Sequence, residues 1–177
     1  MNDKFYKYAP IVQIFLLYSV TGWIYEEILE VFIYQTGFTN RGFLFGPYLP
    51  VYGFGALLFL ILLNSMKKQK RFDWATPLVV FFGSMVIATV LELVTGYVLR
   101  FNGLELWNYD HYALNFDGLI ALNPSVRFGL GGVLFLYILQ PFFDWLIAKQ
   151  PRQMRMGISI VICVVLLLDF ITRLITL

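Results

Sequence analysis

Two glutamates lie inside long apolar stretches of the sequence, where a carboxylate is costly to bury. Glu26 falls in the stretch 11–34 and Glu92 in the stretch 75–99. A charged side chain at the centre of an apolar, membrane-spanning helix costs about 2.5–3.5 kcal/mol even on lenient scales, so each carboxylate needs a partner or a hydrated cavity. Carboxylates in such positions can bind a cation, exchange a proton or act as an acid and base pair.

Each glutamate lies on a stripe of small and polar residues at helical spacing. The stripes are Ser19, Gly22, Trp23, Glu26 and Glu30 in one stretch, and Ser84, Ala88, Glu92, Thr95 and Gly96 in the other. At a rise of 1.5 Å per residue, Glu26 and Glu92 come to matching depths, roughly 10–12 Å below one boundary. Small neighbours allow a second helix to approach closely. We therefore expect both carboxylates to share one hydrated pocket; the alternative is a salt bridge that only ties the helices together.

A glycine-rich connector, 37–47, carries Arg41 among apolar Phe and Leu residues. The guanidinium of arginine presents five donors and does not deprotonate in proteins. In a half-buried connector such a group needs a counter-charge, so it is expected to pair with Glu26, Glu30 or Glu92. The alternative is that Arg41 binds an anionic group of a ligand.

The segment 100–127 is too apolar for an ordinary water-exposed loop and too polar for a span. We expect an interfacial or re-entrant outer segment, which requires protein or water to cover its backbone. There, residues between Trp107 and Asn115 would roof the pocket, although Trp107 and Tyr109 are also typical of interfacial anchors. The candidate polar cluster, for substrate binding or for structure, comprises Glu26, Glu30, Asn40, Arg41, Glu92, Trp107, Tyr109 and Asn115.

The composition indicates that helices in a bilayer position these residues. Of the 177 residues 59% are hydrophobic and 14% are charged, and the mean hydropathy is +0.73, which is too apolar for a soluble domain. A span needs about 20 predominantly apolar residues. We predict an all-α, polytopic transmembrane helical bundle of about five spans, a single membrane domain over 1–177, with spans near 11–34, 47–66, 75–99, 128–148 and 157–174.

Basic residues are distributed unevenly between the two sides of these spans. One side holds Lys4, Lys7, Lys67, Lys68, Lys70, Arg71, Lys149, Arg152 and Arg155, whereas the other holds Arg41, Arg100, Arg127 and Arg173. Lys and Arg on short connections favour the cytoplasmic side. The prediction is a multi-pass protein of the cell membrane with a cytoplasmic N-terminus and an extracytoplasmic C-terminus.

The motifs of several enzyme classes are absent from the sequence. It contains no G-x-x-x-x-G-K-[ST], G-x-S-x-G or H-E-x-x-H motif, and its one cysteine is Cys163. A phosphate loop, covalent catalysis and zinc catalysis therefore lack their usual residues. We expect no catalytic residues, metal, cofactor or nucleic-acid partner. Two alternatives stay open: a membrane enzyme that acts on a lipid or isoprenoid through Glu26 and Glu92, or a structural partner subunit without a site.

Several blocks of residues resemble one family of membrane proteins. They are Gly22-Trp23-Ile24-Tyr25-Glu26, Asn40-Arg41-Gly42-Phe43-Leu44 with Gly46-Pro47, Leu91-Glu92, Thr95-Gly96 and the block from Trp107 to Tyr109. The pattern resembles the ABC-transporter type IV family of CmpB-like integral membrane proteins. This resemblance implies a permease subunit for a small solute or ion, served by a separate ATPase subunit. A homo-oligomer is compatible with it.

Overall fold

The computed structural model describes residues 3–35, 37–38, 40, 42–67 and 75–176. The helices are α1 (Asp3–Ile28), α2 (Pro50–Lys67), α3 (Thr76–Phe101), α4 (Leu122–Leu134), α5 (Gln140–Ala148) and α6 (Arg152–Ile175). Two π-helical segments, Leu29–Tyr34 and Phe135–Leu139, extend α1 and join α4 to α5. Strands β1 (Asn115–Phe116) and β2 (Ile120–Ala121) pair as a short antiparallel hairpin.

Four helical stretches of the described chain are long and apolar enough to cross a membrane. They are Tyr6–Ile33, Thr76–Phe101, Leu122–Ala148 and Arg152–Ile175. The remaining apolar run lies in α2 (Pro50–Lys67), whose stretch Pro50–Leu62 is apolar. The predicted all-α membrane bundle is thereby confirmed, and the number of apolar helices agrees roughly with five spans.

Two prolines show how the helix that contains α4 and α5 is built. This helix begins at Leu122, ahead of the apolar run at 128, and Pro124 fits there because a proline in the first turn has no hydrogen bond to lose. Pro141 lies further along, where it removes one backbone donor. The π-helical segment Phe135–Leu139 ends two residues before it, and this local change of the hydrogen-bond pattern lets the helix continue past Pro141.

The chain forms two compact units. The first unit combines Met1–Leu57 with Phe142–Leu177, and so contains α1, the start of α2, most of α5 and all of α6. The second unit is the stretch Leu58–Pro141, which contains the rest of α2, α3, the hairpin and α4. The first unit therefore draws on two separate parts of the sequence, whereas the second is continuous.

In the first unit, α1 packs along α6 through a buried polar contact. Gln13 is 4% exposed, and its Nε2 donates to Gln150 Oε1 and to the carbonyl of Arg155, both at 3.0 Å. Ser159 Oγ donates to the carbonyl of Ala9 at 2.9 Å. In apolar surroundings such hydrogen bonds hold two helices in one register.

Glycines let α2 approach α1 within the first unit. A Cβ atom on Gly22 would lie 2.2 Å from the ring of Tyr52, and one on Gly53 would lie 2.5 Å from Ser19 Oγ. The backbone N–H of Leu49 donates to the carbonyl of Ser19 at 2.9 Å. Small residues permit this close packing, and a larger residue would push the helices apart.

In the second unit, α3 packs on α4 in the same manner. Ser84 is fully buried, and a Cβ atom on Gly132 would lie 1.9 Å from its Oγ. Thr89 Oγ1 donates to Ser125 Oγ at 2.7 Å. A small hydrophobic core of this unit consists of Phe59, Val80 and Leu136. Small residues and hydroxyl groups thus form the α3–α4 contact.

Candidate functional site

The first unit holds Glu26 against the hydroxyl group of Tyr52. Tyr52 lies in the first turn of α2 and donates a hydrogen bond to Glu26 Oε1. Gly22 lies one helical turn before Glu26 and packs on the Tyr52 ring, so the glycine contact brings the two polar groups together. A hydrogen bond to a charged acceptor is stronger than one between neutral groups. This contact therefore ties α2 to the carboxylate of α1.

Two further glutamates near the end of α1 are buried. Glu27 is 7% exposed and Glu30 is 4% exposed, and the π-helical segment Leu29–Tyr34 begins between them. The predicted stripe included Glu30 and left out Glu27. The signal that could have found Glu27 is its spacing of three residues from Glu30, which puts both on one helix face.

Asn40 shapes the connector that leads to α2. Its Oδ1 accepts a hydrogen bond from Trp23 Nε1 at 2.9 Å, and its Nδ2 donates to the carbonyl of Phe45 at 2.8 Å. The amide group thus folds the connector back onto α1. Arg41 lies outside the described residues, so its pairing with a glutamate stays a prediction.

Asp169 of α6, which the sequence did not single out, binds the same connector. Its Oδ1 accepts the backbone N–H of Phe45 at 3.0 Å, and its Oδ2 accepts that of Gly46 at 2.9 Å. The hydroxyl group of Tyr48, in the loop before α2, also donates to Oδ2. Burial and the neighbouring Asp169 carboxylate raise the pKa of the Tyr48 phenol above its ordinary value, because both disfavour the phenolate.

Arg173 adds a second type of contact one helical turn after Asp169. Its guanidinium carbon lies 5.0 Å from the ring centre of Phe45 and 5.7 Å from that of Phe43, within the range of cation–π attraction. Asp169 therefore binds the connector backbone while Arg173 packs on its aromatic rings. The spacing of four between two opposite charges in an apolar run was the signal that could have found this pair.

The second unit holds Glu92 against Tyr109. The Tyr109 hydroxyl donates to Glu92 Oε1 at 2.8 Å. Tyr109 lies in the non-helical segment between α3 and β1, and its backbone N–H donates to the carbonyl of Gly118 at 2.8 Å. Gly118 has a φ of 64°, which favours glycine. The contact thus joins a carboxylate inside an apolar helix to a segment outside the helices.

Trp107 and Asn115, also predicted as site residues, shape this segment. Trp107 Nε1 donates to the carbonyl of Leu119 at 3.0 Å, and Asn115 Nδ2 donates to the carbonyl of Tyr112 at 2.7 Å. Leu119 is 2% exposed, and it packs on Gly96, where a Cβ atom would lie 2.8 Å from its side chain. Leu119 therefore anchors the segment to α3, and the two predicted residues define its course.

Arg100, near the end of α3, binds the turn of the hairpin. Its Nη1 donates to Asp117 Oδ2 and its Nη2 to the Asp117 carbonyl, both at 3.0 Å. Glu105 Oε1 lies 3.5 Å from Nη2. The Arg100 side chain is 38% exposed, so these ion pairs contribute about 1 kcal/mol or less each. Arg100 mainly orients the turn.

A small cavity lies at the contact between α3 and this segment. A cavity of about 10 Å³ lies there, lined by residues that include Gly96, Trp107 and Leu119, which is near the lower limit for one water molecule. Among the described residues, no group of three or more His, Cys, Asp or Glu side chains could hold a metal ion. Glu26 and Glu92 belong to different units, and their convergence on one pocket stays a prediction.

The long apolar helices of the described chain make this a multi-pass helical membrane protein. Two of these helices carry a glutamate that accepts a hydrogen bond from a tyrosine hydroxyl group. The family model described as Putative ABC-transporter type IV matches residues 13–174. The chain belongs to that family, as its sequence blocks predicted. Comparisons with curated proteins and with solved structures found no match.

Proposed function

We propose that this protein is the membrane-spanning subunit of a transporter that works with a separate ATPase. The description of its family supports a transport role. The sequence has no phosphate loop, so ATP hydrolysis in such a transporter falls to a partner subunit. Its long apolar helices supply the membrane-spanning part.

The contact between Glu92 and Tyr109 supports the proposal of a site for a small solute or ion. A carboxylate inside an apolar helix is suited to take up a proton or a cation. Tyr109 donates its hydrogen bond most strongly to a charged acceptor, so protonation of Glu92 weakens the contact. Binding of a proton or a cation at Glu92 is thereby coupled to the position of Tyr109 and of the segment that carries it.

The proposed polar residues form two separate groups, one in each unit. In the second unit, Glu92 and Tyr109 would bind the small solute or ion. Trp107 and Asn115 shape the segment that carries Tyr109. In the first unit the proposed cluster keeps the predicted residues and adds the hydrogen-bond donor of Glu26. Its members are Glu26, Glu30, Asn40, Arg41 and Tyr52.

The proposed orientation has the N-terminus in the cytoplasm and the C-terminus outside the cell membrane. The uneven distribution of Lys and Arg supports it. Single cysteines at Asn2 and at Leu177, each in a Cys163→Ser background, should react differently with a membrane-impermeant thiol reagent in intact cells. Only the cysteine at position 177 should be labelled, and equal labelling would contradict the orientation.

Reconstitution tests the proposed transport function. The tagged protein is purified in mild detergent from its native membrane, its ATPase partner is identified by peptide mass spectrometry, and the complex is placed in vesicles. Uptake of a panel of small solutes and ions is then measured with and without ATP. We expect ATP-dependent accumulation that falls at least tenfold in Glu92→Gln.

Glu105→Gln is the matched control for this experiment. Glu105 lies in the same segment but contacts Arg100 near the surface, so its loss should leave uptake within about twofold. The transport proposal fails if no solute accumulates with ATP. The Glu92 site fails separately if Glu92→Gln and Glu105→Gln transport equally well.

A further inference from the structure

A short piece of non-helical chain before α2 is packed into the first unit. It consists of residues 42–49, all of which the structure describes, and we name it the strap. Leu44, Tyr48 and Leu49 of the strap are 7%, 6% and 8% exposed. The strap is therefore held by the helices around it, and its partners on those helices determine its position.

The far part of α6 holds one side of the strap. Asp169 accepts hydrogen bonds from the backbone N–H groups of Phe45 and Gly46 and from the hydroxyl group of Tyr48. One turn further along α6, the guanidinium carbon of Arg173 lies 5.0 Å from the ring centre of Phe45. Hydrogen bonds to a carboxylate are stronger than those between neutral groups. Asp169 is therefore the main polar link between α6 and the strap.

The other side of the strap is bound to α1. The backbone N–H of Leu49 donates to the carbonyl of Ser19 at 2.9 Å. Asn40, just before the strap, donates to the carbonyl of Phe45 and accepts a hydrogen bond from Trp23 Nε1. The strap thus bridges α1 and the far part of α6.

The opposite end of this helix pair is joined without a strap. Gln13 of α1 donates directly to the carbonyl of Arg155, and Ser159 of α6 donates to the carbonyl of Ala9. Gln13 and Ser159 are 4% and 5% exposed, so these contacts are buried. The described hydrogen bonds therefore link α1 to the start of α6 directly, and to the far part of α6 through the strap.

We propose that Asp169 is the latch of an opening between α1 and α6 at the strap end of the first unit. Release of the strap from this carboxylate frees the far part of α6, while the contacts of Gln13 and Ser159 hold its start as a pivot. Closed and open arrangements of packed helices commonly differ by a rotation about such a fixed contact. In the proposed orientation the opening faces the outside of the cell membrane. The latch needs the fold of the first unit and not the transport function.

Distances between pairs of spin labels, measured by pulsed electron spin resonance on the full chain in nanodiscs, test the latch. One pair replaces Ile24 on α1 and Ile171 on α6, near the strap, and the other replaces Tyr8 and Met154, near the pivot. These four side chains are 43–55% exposed, so labels at these positions need not disturb the packing. Both pairs are made in a Cys163→Ser background.

Asp169→Asn keeps the shape of the side chain but leaves one acceptor oxygen in place of two. A hydrogen bond to a charged group changes an equilibrium about tenfold or more. In this variant we expect a second, longer distance for the strap pair, populated about tenfold or more above its level in the unaltered protein. The distance of the pivot pair should stay unchanged.

Thr172→Ala is the matched control on the same helix. Its hydroxyl group donates to the carbonyl of Leu168 within α6, so its loss should change neither distance. An unchanged strap pair in Asp169→Asn overturns the proposal. A change of both pairs also overturns it, because it would indicate a general loss of packing in place of an opening about a pivot.

A reversible lock tests whether the opening serves transport, and this part rests on the proposed function. In the Cys163→Ser background, cysteines at Phe45 and Asp169 are joined by a short, cleavable bifunctional thiol reagent in the reconstituted complex. We expect ATP-dependent uptake to fall at least tenfold when they are joined and to return after cleavage. Equal uptake in both states overturns a role of the opening in transport. Absence of uptake by the unaltered complex would instead end the transport proposal, and the spin-label distances would still decide the latch.

Discussion

Glu26 in the first unit and Glu92 in the second meet the same chemical need in different structural settings. Each accepts a hydrogen bond from a tyrosine hydroxyl group. Tyr52, the donor to Glu26, lies on a helix packed through glycine. Tyr109, the donor to Glu92, lies on a non-helical segment.

The difference indicates which carboxylate can take part in a moving site. Displacement of Tyr52 requires α2 to leave its contact with α1 at Gly22, where the packing is close. Displacement of Tyr109 requires only local opening of a segment whose Leu104 and Leu106 are 52% and 60% exposed. Segments of this kind open at lower free energy than packed helices. Glu26 therefore suits a structural role, and Glu92 suits a binding role.

The largest expected effect on stability comes from Gly22→Ala, which acts on the close contact between α1 and α2 in the first unit. The new Cβ would lie 2.2 Å from the ring of Tyr52, so α2 must shift and its hydrogen bond to Glu26 is lost. Overpacking of this kind costs about 3 kcal/mol at the upper end of its usual range. The free energy of unfolding in mixed micelles measures the loss.

Two other glycines serve as controls for this substitution. Gly55 has open space around its Cβ position, so Gly55→Ala should be neutral or slightly stabilising. Gly96 faces the flexible end of Leu119 at 2.8 Å, so Gly96→Ala should cost less than Gly22→Ala. Equal stabilities of the Gly22 and Gly55 variants would contradict the close packing.

Tyr52→Phe should have the next largest effect on stability. It removes the hydrogen bond to Glu26 and leaves the ring in place. A hydrogen bond to a charged group contributes about 1.5–3 kcal/mol, and the half-buried position of Glu26 favours the lower value. An unfolding free energy unchanged from that of the unaltered protein would show that water replaces the hydroxyl group.

Arg100→Gln should act locally on the segment that carries Tyr109. It breaks the contacts with Asp117 and Glu105, which are half-exposed, so the global loss should be about 1 kcal/mol. Amide hydrogen exchange should become faster in residues 104–121 and stay unchanged in most of α3. Uniform acceleration over both regions would contradict the view that Arg100 orients the hairpin turn.

Tyr109→Phe should have the smallest effect on stability and a clear effect on function. Its hydroxyl group contacts Glu92 from a segment that can relax, so a water molecule can replace it at the lower end of the usual cost of about 0–2 kcal/mol. ATP-dependent uptake in the reconstituted complex should nevertheless fall several-fold. A loss of stability as large as that of Tyr52→Phe would remove the distinction between the two glutamates.

The sequence predicted the elements of this fold better than the contacts between them. Apolar runs of sufficient length predict helices because a bilayer leaves few alternatives for the backbone. Glu26 and Glu92 were recognised because carboxylates are rare in such runs. The tyrosine donor of Glu26 was not recognised, since Tyr52 carries no local signal that separates it from other aromatic residues.

Asp169 illustrates why some contacts could not be predicted. Two of its hydrogen bonds come from the backbone N–H groups of Phe45 and Gly46. Every non-proline residue has such a group, so the sequence does not indicate which of them will donate to a distant side chain. The donors are also more than a hundred positions away in the chain. A long-range contact between a side chain and a backbone becomes visible only when the chain is folded.

The first unit is built from two separate stretches of the chain, and this has a consequence for biosynthesis. Its two stretches are separated in the chain by the whole of the second unit, so α1 enters the bilayer well before α6 leaves the ribosome. Until then Gln13 has none of its partners on 150–155, and α1 lacks the hydrogen bonds that fix its register against α6. We expect α1 to stay beside the membrane insertion machinery while the second unit is inserted, and to be released when α6 arrives.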